Sequence, residues 1–213
     1  MFQLLKVLWS PSDSFSALPT VKVSWLVLAF VAFELFCCLL VIDSLSIGIN
    51  KAMASNPAIG AGARPVLFGF VIVISSLINL FIVAIMAAVF AMLTFVLGGK
   101  PNYRMLFGML LLAYSPILLN HFTRNLSYMF GWISDPAVSL LSLANMIPAI
   151  KGTFLGDLVR VFDLFDVWTL VLVACGFALV SGLRKSVALP AALVVWLTLQ
   201  MVFFRIQSFG AVQ

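Results

Sequence analysis

Long uncharged apolar runs, separated by short clusters of glycine, proline and charged residues, organise this chain. The longest goes from Val66 to Leu97, about thirty positions without a charged side chain; at about 1.5 Å of helical rise per residue it outreaches a hydrocarbon layer about 30 Å thick. An earlier run extends from about Val23 to Ile47, broken only by Glu34 and Asp43. A third begins near Met105, after the polar turn Gly98-Gly99-Lys100-Pro101-Asn102, and contains Pro116. A proline lacks the backbone donor and crowds the preceding turn, so a kink or break is expected from Ala113 to Pro116, with the helix resuming through Phe130. The last two runs, Leu164 to Val180 and Val187 to Phe204, flank the tight connection Ser181 to Ser186 and predict a helical hairpin. These runs are continuous rather than alternating every second residue, which points to helices and away from a transmembrane barrel. The expected fold is all-α: a polytopic membrane protein with five transmembrane helices in one bundle.

Short peripheral helices complete the picture. Phe2 to Trp9 is apolar with one lysine, and the Ser10-Pro11 pair after it combines an N-cap residue type with a proline suited to a first turn. This segment is expected to lie in the headgroup layer. Ser134 to Pro148 suggests a second interfacial or re-entrant helix. The domain reading is a cytoplasmic interfacial segment over 1–22, a single five-span domain over 23–205 and a short C-terminal tail over 206–213.

Composition sharpens the solvent. With 64% hydrophobic residues, 9% charged and a mean hydropathy of +1.21, the chain is far more apolar than a soluble domain of this length. Its formal net charge of +5 reads as topology and attraction to anionic lipid headgroups, not as a nucleic-acid surface. With five spans, Lys6, Lys22, Lys100, Arg104, Arg184 and Lys185 fall on the N-terminal side, in short connections beside span ends. Lys51, Arg64, Arg124, Lys151, Arg160 and Arg205 fall on the other side, spread over longer loops. Positive-inside counting weights the first group, so the N-terminus is expected in the cytoplasm and the C-terminus outside, in the inner membrane. No cleavable secretory signal is expected. Cys37, Cys38 and Cys175 lie within the runs, where a reduced cysteine behaves as a small hydrophobe, and no disulfide is expected.

A few polar residues stand out against this background. Glu34 falls near the middle of the first span, where a charged carboxylate costs on the order of 2.5–3.5 kcal/mol on insertion scales, so it should be protonated or paired with another helix. Candidate partners at similar depth are Asn79, Tyr114, Ser115 and Gln200. Three roles are open: a hydrogen-bonded packing contact, a proton- or ligand-linked site, or a metal site with Cys37, Cys38 and His121. The last is disfavoured because His121 is expected near a span end. A second group, Asp157, Arg160, Asp163 and Asp166, enters the fourth span. Asp163 and Asp166 are one turn apart, where acids complement the helix dipole. An ion-pair cluster around Arg124 or Arg160, or an outer solute vestibule, are the two readings of it. Ala84, Ala87, Ala88 and Ala91 form a small-residue stripe that lets helices approach closely, within the chain or between copies.

Signatures of hydrolases, zinc proteases and nucleotide-binding loops are missing and there is one histidine, so no catalysis, cofactor or metal is expected. Three stretches suggest a family instead: Leu8-Trp9-Ser10-Pro11-Ser12-Asp13-Ser14-Phe15; Ala113-Tyr114-Ser115-Pro116; and Phe162-Asp163-Leu164-Phe165-Asp166-Val167-Trp168. In their order and spacing they resemble the Yip family of Ypt/Rab-interacting membrane proteins. The resemblance implies five spans, a cytoplasmic N-terminus and action through lipids and protein partners. In eukaryotic members those partners are Rab-type GTPases. The chain has no long N-terminal tail before its first span, which points to a bacterial member. The expected function is therefore a non-enzymatic membrane scaffold or lipid-organising partner that self-associates or binds other membrane proteins. The alternative is a small transporter or channel for a solute, proton or lipid. It would use Glu34, the Pro116 break and the outer acidic cluster, with Tyr114, His121, Arg124, Asp163 and Asp166 as further candidates.

Overall fold

The computed structural model describes residues 6–40, 64–132 and 163–210. These are helical, with no strand among the described residues. A short α1 (Pro11–Ser16) and a 3-10 turn (Leu18–Thr20) precede α2 (Val23–Leu40), α3 (Arg64–Val96), α4 (Tyr103–Ala113), α5 (Ser115–Met129), α6 (Leu164–Val180) and α7 (Lys185–Gly210). Phe2 to Leu5, Asp43, Lys51, the segment Ser134 to Pro148, Lys151, Asp157 and Arg160, on which several expectations rest, lie outside the described residues.

Local chemistry sets the helix ends. After α3, Gly98 takes a positive φ of 79°; its N–H donates to the Phe95 carbonyl at 3.0 Å and the Gly99 N–H to the Thr94 carbonyl at 2.9 Å. This left-handed stop consumes carbonyls that a helix end leaves open, and only glycine reaches it without steric cost. Asn102 then starts α4, its side chain accepting from the Met105 N–H at 3.2 Å.

The break expected at Pro116 falls at Tyr114, between α4 and α5. Its chemistry is resolved locally. The Leu112 carbonyl would have received the N–H that Pro116 lacks, and it instead accepts from the Ser115 hydroxyl at 2.6 Å. Helical bonding resumes at once, with the Leu118 N–H donating to the Tyr114 carbonyl at 3.2 Å. A second proline, Pro190, sits inside α7.

The bent α4–α5 rod occupies the middle of the bundle. It packs on α2 and α3 on one side and on α6 on the other, and α7 lies against α6 as an antiparallel hairpin partner. Its lower half is buried all round, Leu106 and every residue from Gly108 to Ala113 being inaccessible, as a rod enclosed by others requires. Phe90 and Phe177, with ring centroids 5.0 Å apart, join α3 to α6. The outer face of α3 is different. Phe70, Val73, Leu77, Ile78, Phe81, Met92 and Phe95 are all exposed along it, an apolar surface of the kind that meets lipid or another protein.

Two helical stretches, Pro65–Val96 and the bent Tyr103–Ser127, are long and apolar enough to cross a membrane. Val23–Leu39, Leu164–Val180 and Lys185–Leu199 are apolar but shorter.

The described part of the N-terminal segment packs onto the bundle. Val7, Phe15 and Leu18 are buried, and α1 docks on α6 and α4 at the end of the bundle that carries the 97–102 and 181–184 turns. Glycines open the space. A Cβ on Gly176 would lie 2.7 Å from Met109 Cγ and 2.9 Å from Phe15 Cζ, and one on Gly108 would lie 2.7 Å from Leu18 Cδ2. Ser10 precedes α1 but makes no side-chain cap, and Pro11 fills the first turn as expected.

Substituting Gly176→Val should therefore dislodge Phe15 and destabilise the bundle by about 1–3 kcal/mol, the usual range for overpacking. Gly69→Ala, whose added methyl meets nothing within 4 Å, should leave the melting temperature in detergent unchanged or slightly raised.

Candidate functional site

The most polar helix of the bundle, α5, carries Asn120, His121, Thr123, Arg124, Asn125 and Ser127 within two turns, and none of these is fully exposed. Buried polar groups in an apolar surrounding cost several kcal/mol each unless they find partners. Here the partners come from two neighbouring helices, α2 and α6, and from the backbone of α5 itself. His121 and Asn125, one turn apart, meet α2: His121 Nδ1 is 3.5 Å from Glu34 Oε1, and Asn125 Nδ2 donates to the Cys37 carbonyl at 2.9 Å. Asn79 of α3 donates from Nδ2 to the same Glu34 Oε1 at 3.2 Å. Asn120, about 100° around α5 from His121, donates to Asp163 Oδ2 at the start of α6.

Glu34 is the focus of this set. It is 3% exposed, whereas the His121 side chain is 26% exposed, so the pair is sealed on the glutamate side and open on the histidine side. Of the expected partners of Glu34, Asn79 is in contact. Ser115 is spent on the Leu112 carbonyl, and Tyr114 stacks obliquely on Phe30 at 6.1 Å between centroids while lying within electrostatic reach of both Glu34 and Asp166. His121 lies inside α5, which resumes after the bend and runs to Met129, and it reaches Glu34 from there.

Asp163 and Asp166 form a reciprocal cap on α6. Asp163 Oδ1 accepts from the Asp166 N–H at 2.8 Å, and Asp166 Oδ2 accepts from the Asp163 N–H at 3.0 Å. Both carboxylates are thus engaged by neutral donors, with Asn120 supplying the link to α5. Arg124 is half-buried on α5.

Cys37, Cys38 and Cys175 are free thiols. Among the described residues no group of three His, Cys, Asp or Glu side chains is arranged to hold a metal ion. Pro116 is buried at the bend. The alanine stripe turns inward in part: Ala87 is fully buried, the Ala84 carbonyl accepts from the Tyr103 hydroxyl at 3.1 Å, and Ala88 faces out. Its small side chains admit α4.

Asn120 and Asn125 were not singled out by sequence reasoning. Their signal was the helical spacing of the polar run from Asn120 to Ser127, which puts Asn125 one turn from His121. Chemically, the arrangement ties α2 to α3, α2 to α5, and α5 to α6 through side-chain hydrogen bonds and one carboxylate–imidazole contact. No family model, curated protein or solved structure matches this chain.

Glu34→Leu should destabilise the bundle by about 1–3 kcal/mol, because it strands the Asn79 amide. Glu34→Gln, whose carbonyl oxygen still accepts from Asn79, should cost under about 1 kcal/mol. Asp163→Ala should cost about 0.5–2 kcal/mol through loss of the cap. Unfolding in mixed micelles measures all three.

Proposed function

We propose that this chain is an integral membrane protein crossing the inner membrane five times, N-terminus in the cytoplasm and C-terminus outside. It acts without catalysis as a scaffold or lipid-organising component of the Yip type, working through lipids, further copies of itself or other membrane proteins. The five spans are α2, α3, the bent α4–α5, α6 and α7. Support for the orientation comes from charge: Lys22, Lys100, Arg104, Arg184 and Lys185 are exposed at the end where the N-terminal segment docks.

The observation that carries the scaffold reading is the closure of Glu34. Its carboxylate is 3% exposed and its contacts are an amide and an imidazole from two other helices, which is the geometry of interhelical glue rather than of a solute path. A second reading has one observation in its favour. His121 is a quarter exposed while touching Glu34, and the helix bends one turn and a half below it, so a proton could reach the carboxylate from the far end of the bundle. That reading is a small proton-linked transporter.

Single-cysteine labelling should modify positions 100 and 184 only from the cytoplasmic side and position 208 only from outside. Cross-linking in native membranes should capture a copy or a membrane partner. Reconstituted vesicles should show no solute, proton or lipid movement above protein-free controls. A flux abolished by Glu34→Gln with folding intact would replace the scaffold with the transporter.

A further inference from the structure

Among the described residues, the end of the bundle carrying the N-terminal segment presents cations with no carboxylate within ion-pair distance. Gly99 and Leu183 bring the 97–102 and 181–184 turns side by side: a Cβ on Gly99 would lie 3.1 Å from Leu183 Cδ2. Lys100 and Arg104 flank the first turn, and Arg184 and Lys185 close the second; all four are exposed. The described acids are Asp13, Glu34, Asp163 and Asp166. Glu34 is committed to Asn79 and His121, and Asp163 and Asp166 cap the opposite end of α6. Asp13 alone shares this end of the bundle, and among the described residues none of the four cations has an ion-pair partner within 4.0 Å.

What adjoins these cations is equally specific. Phe95 and Val96, 72% and 73% exposed, lie immediately before the first turn, and Met92 continues the apolar ledge one turn along α3. Tyr103 borders this ledge, its ring stacked on Phe107 at 6.1 Å and its hydroxyl held by the Ala84 carbonyl. Exposed Trp9, just before α1, and Trp25 on α2 mark the same end. Cations at the rim, exposed tryptophans beside them and an adjoining apolar ledge match the layers of one leaflet: phosphate, glycerol ester and acyl chain. A soluble phosphate or nucleotide has no use for the ledge.

We infer that the paired turns, through Lys100, Arg104, Arg184 and Lys185, form a binding surface for the headgroup phosphate of anionic phospholipid, with the acyl chains along Met92, Phe95 and Val96. This rests on the membrane reading above and names the lipid class of its partner. The scaffold would thereby gather anionic lipid around its cytoplasmic end.

The test uses the full chain in nanodiscs of phosphatidylcholine with a minority of phosphatidylglycerol, and native mass spectrometry to count the lipids that stay bound. The wild-type protein should retain phosphatidylglycerol well above its share of the bilayer. K100Q/R104Q and R184Q/K185Q should each reduce that enrichment about tenfold or more, given a contribution on the order of fivefold per cation near a charged surface. K100R and R184K/K185R, which keep the charge, should behave as wild type. The enrichment should fade in roughly 1 M salt, where the screening length falls to about 3 Å. Equal retention in wild type and both neutralised variants would overturn the inference. So would competition by inorganic phosphate, which would make the surface a site for a soluble anion. A protein that fails to float with lipid vesicles would sink the membrane reading as well. One that floats but shows no lipid preference would sink this inference alone.

Discussion

A single carboxylate constrains how the helices of this protein meet. Glu34 lies deep in an apolar assembly, and an acid there is tolerated only if donors reach it from other helices. Asn79 and His121 meet that demand, and in doing so they fix the rotation of α3 and α5 about their own axes. The remaining polar groups on α5 follow from that rotation. With His121 aimed at α2, Asn125 one turn on must face α2 too, and it bonds the Cys37 carbonyl; Asn120, about a quarter turn away, is aimed at the start of α6. On the membrane reading proposed above, no hydrophobic force chooses a rotation between such rods, since lipid is as apolar as the side chains. Side-chain hydrogen bonds make that choice here.

The bend at Tyr114 belongs to the same logic. A straight rod from Tyr103 to Met129 would carry one orphaned carbonyl at Leu112, and Ser115 removes the cost by donating to it. The bend also separates two kinds of helix. Below it, α4 is apolar and enclosed; above it, α5 is polar and held by named bonds. One half of the central rod is fixed by shape, through Gly108, Gly176 and the small side chains of α3. The other half is fixed by hydrogen-bond geometry.

Much of this was legible in the sequence. Helix positions follow from unbroken apolar runs, the bend from the missing N–H of Pro116, and the cap on α6 from two acids one turn apart. Asn79 was identifiable as a partner for Glu34 because both lie far from the ends of their runs. The pairing of His121 with Glu34 was not, since hydropathy does not say which neighbour a polar residue on the resumed helix meets. The docking of the N-terminal segment was also hidden. Phe15 and Leu18 look like interfacial anchors until Gly176 and Gly108, distant in the chain, are known to leave room for them. A linear pattern records how apolar a position is, not the angle at which two rods cross or the notch one opens for another.

The exposed stretch of α3 carries a mechanical consequence. From Pro65 to Ile74 its described side chains are exposed or half-exposed, whereas Val83, Ala87, Phe90 and Thr94 farther along are clamped against the bundle. Asn79 sits between this stretch and the clamp. On the membrane reading proposed above, a thinner leaflet tilts the stretch, and the clamp passes that motion to the hydrogen bond between Asn79 and Glu34. The thickness of the surrounding lipid would then act as a load on the contact that joins α2 to α3.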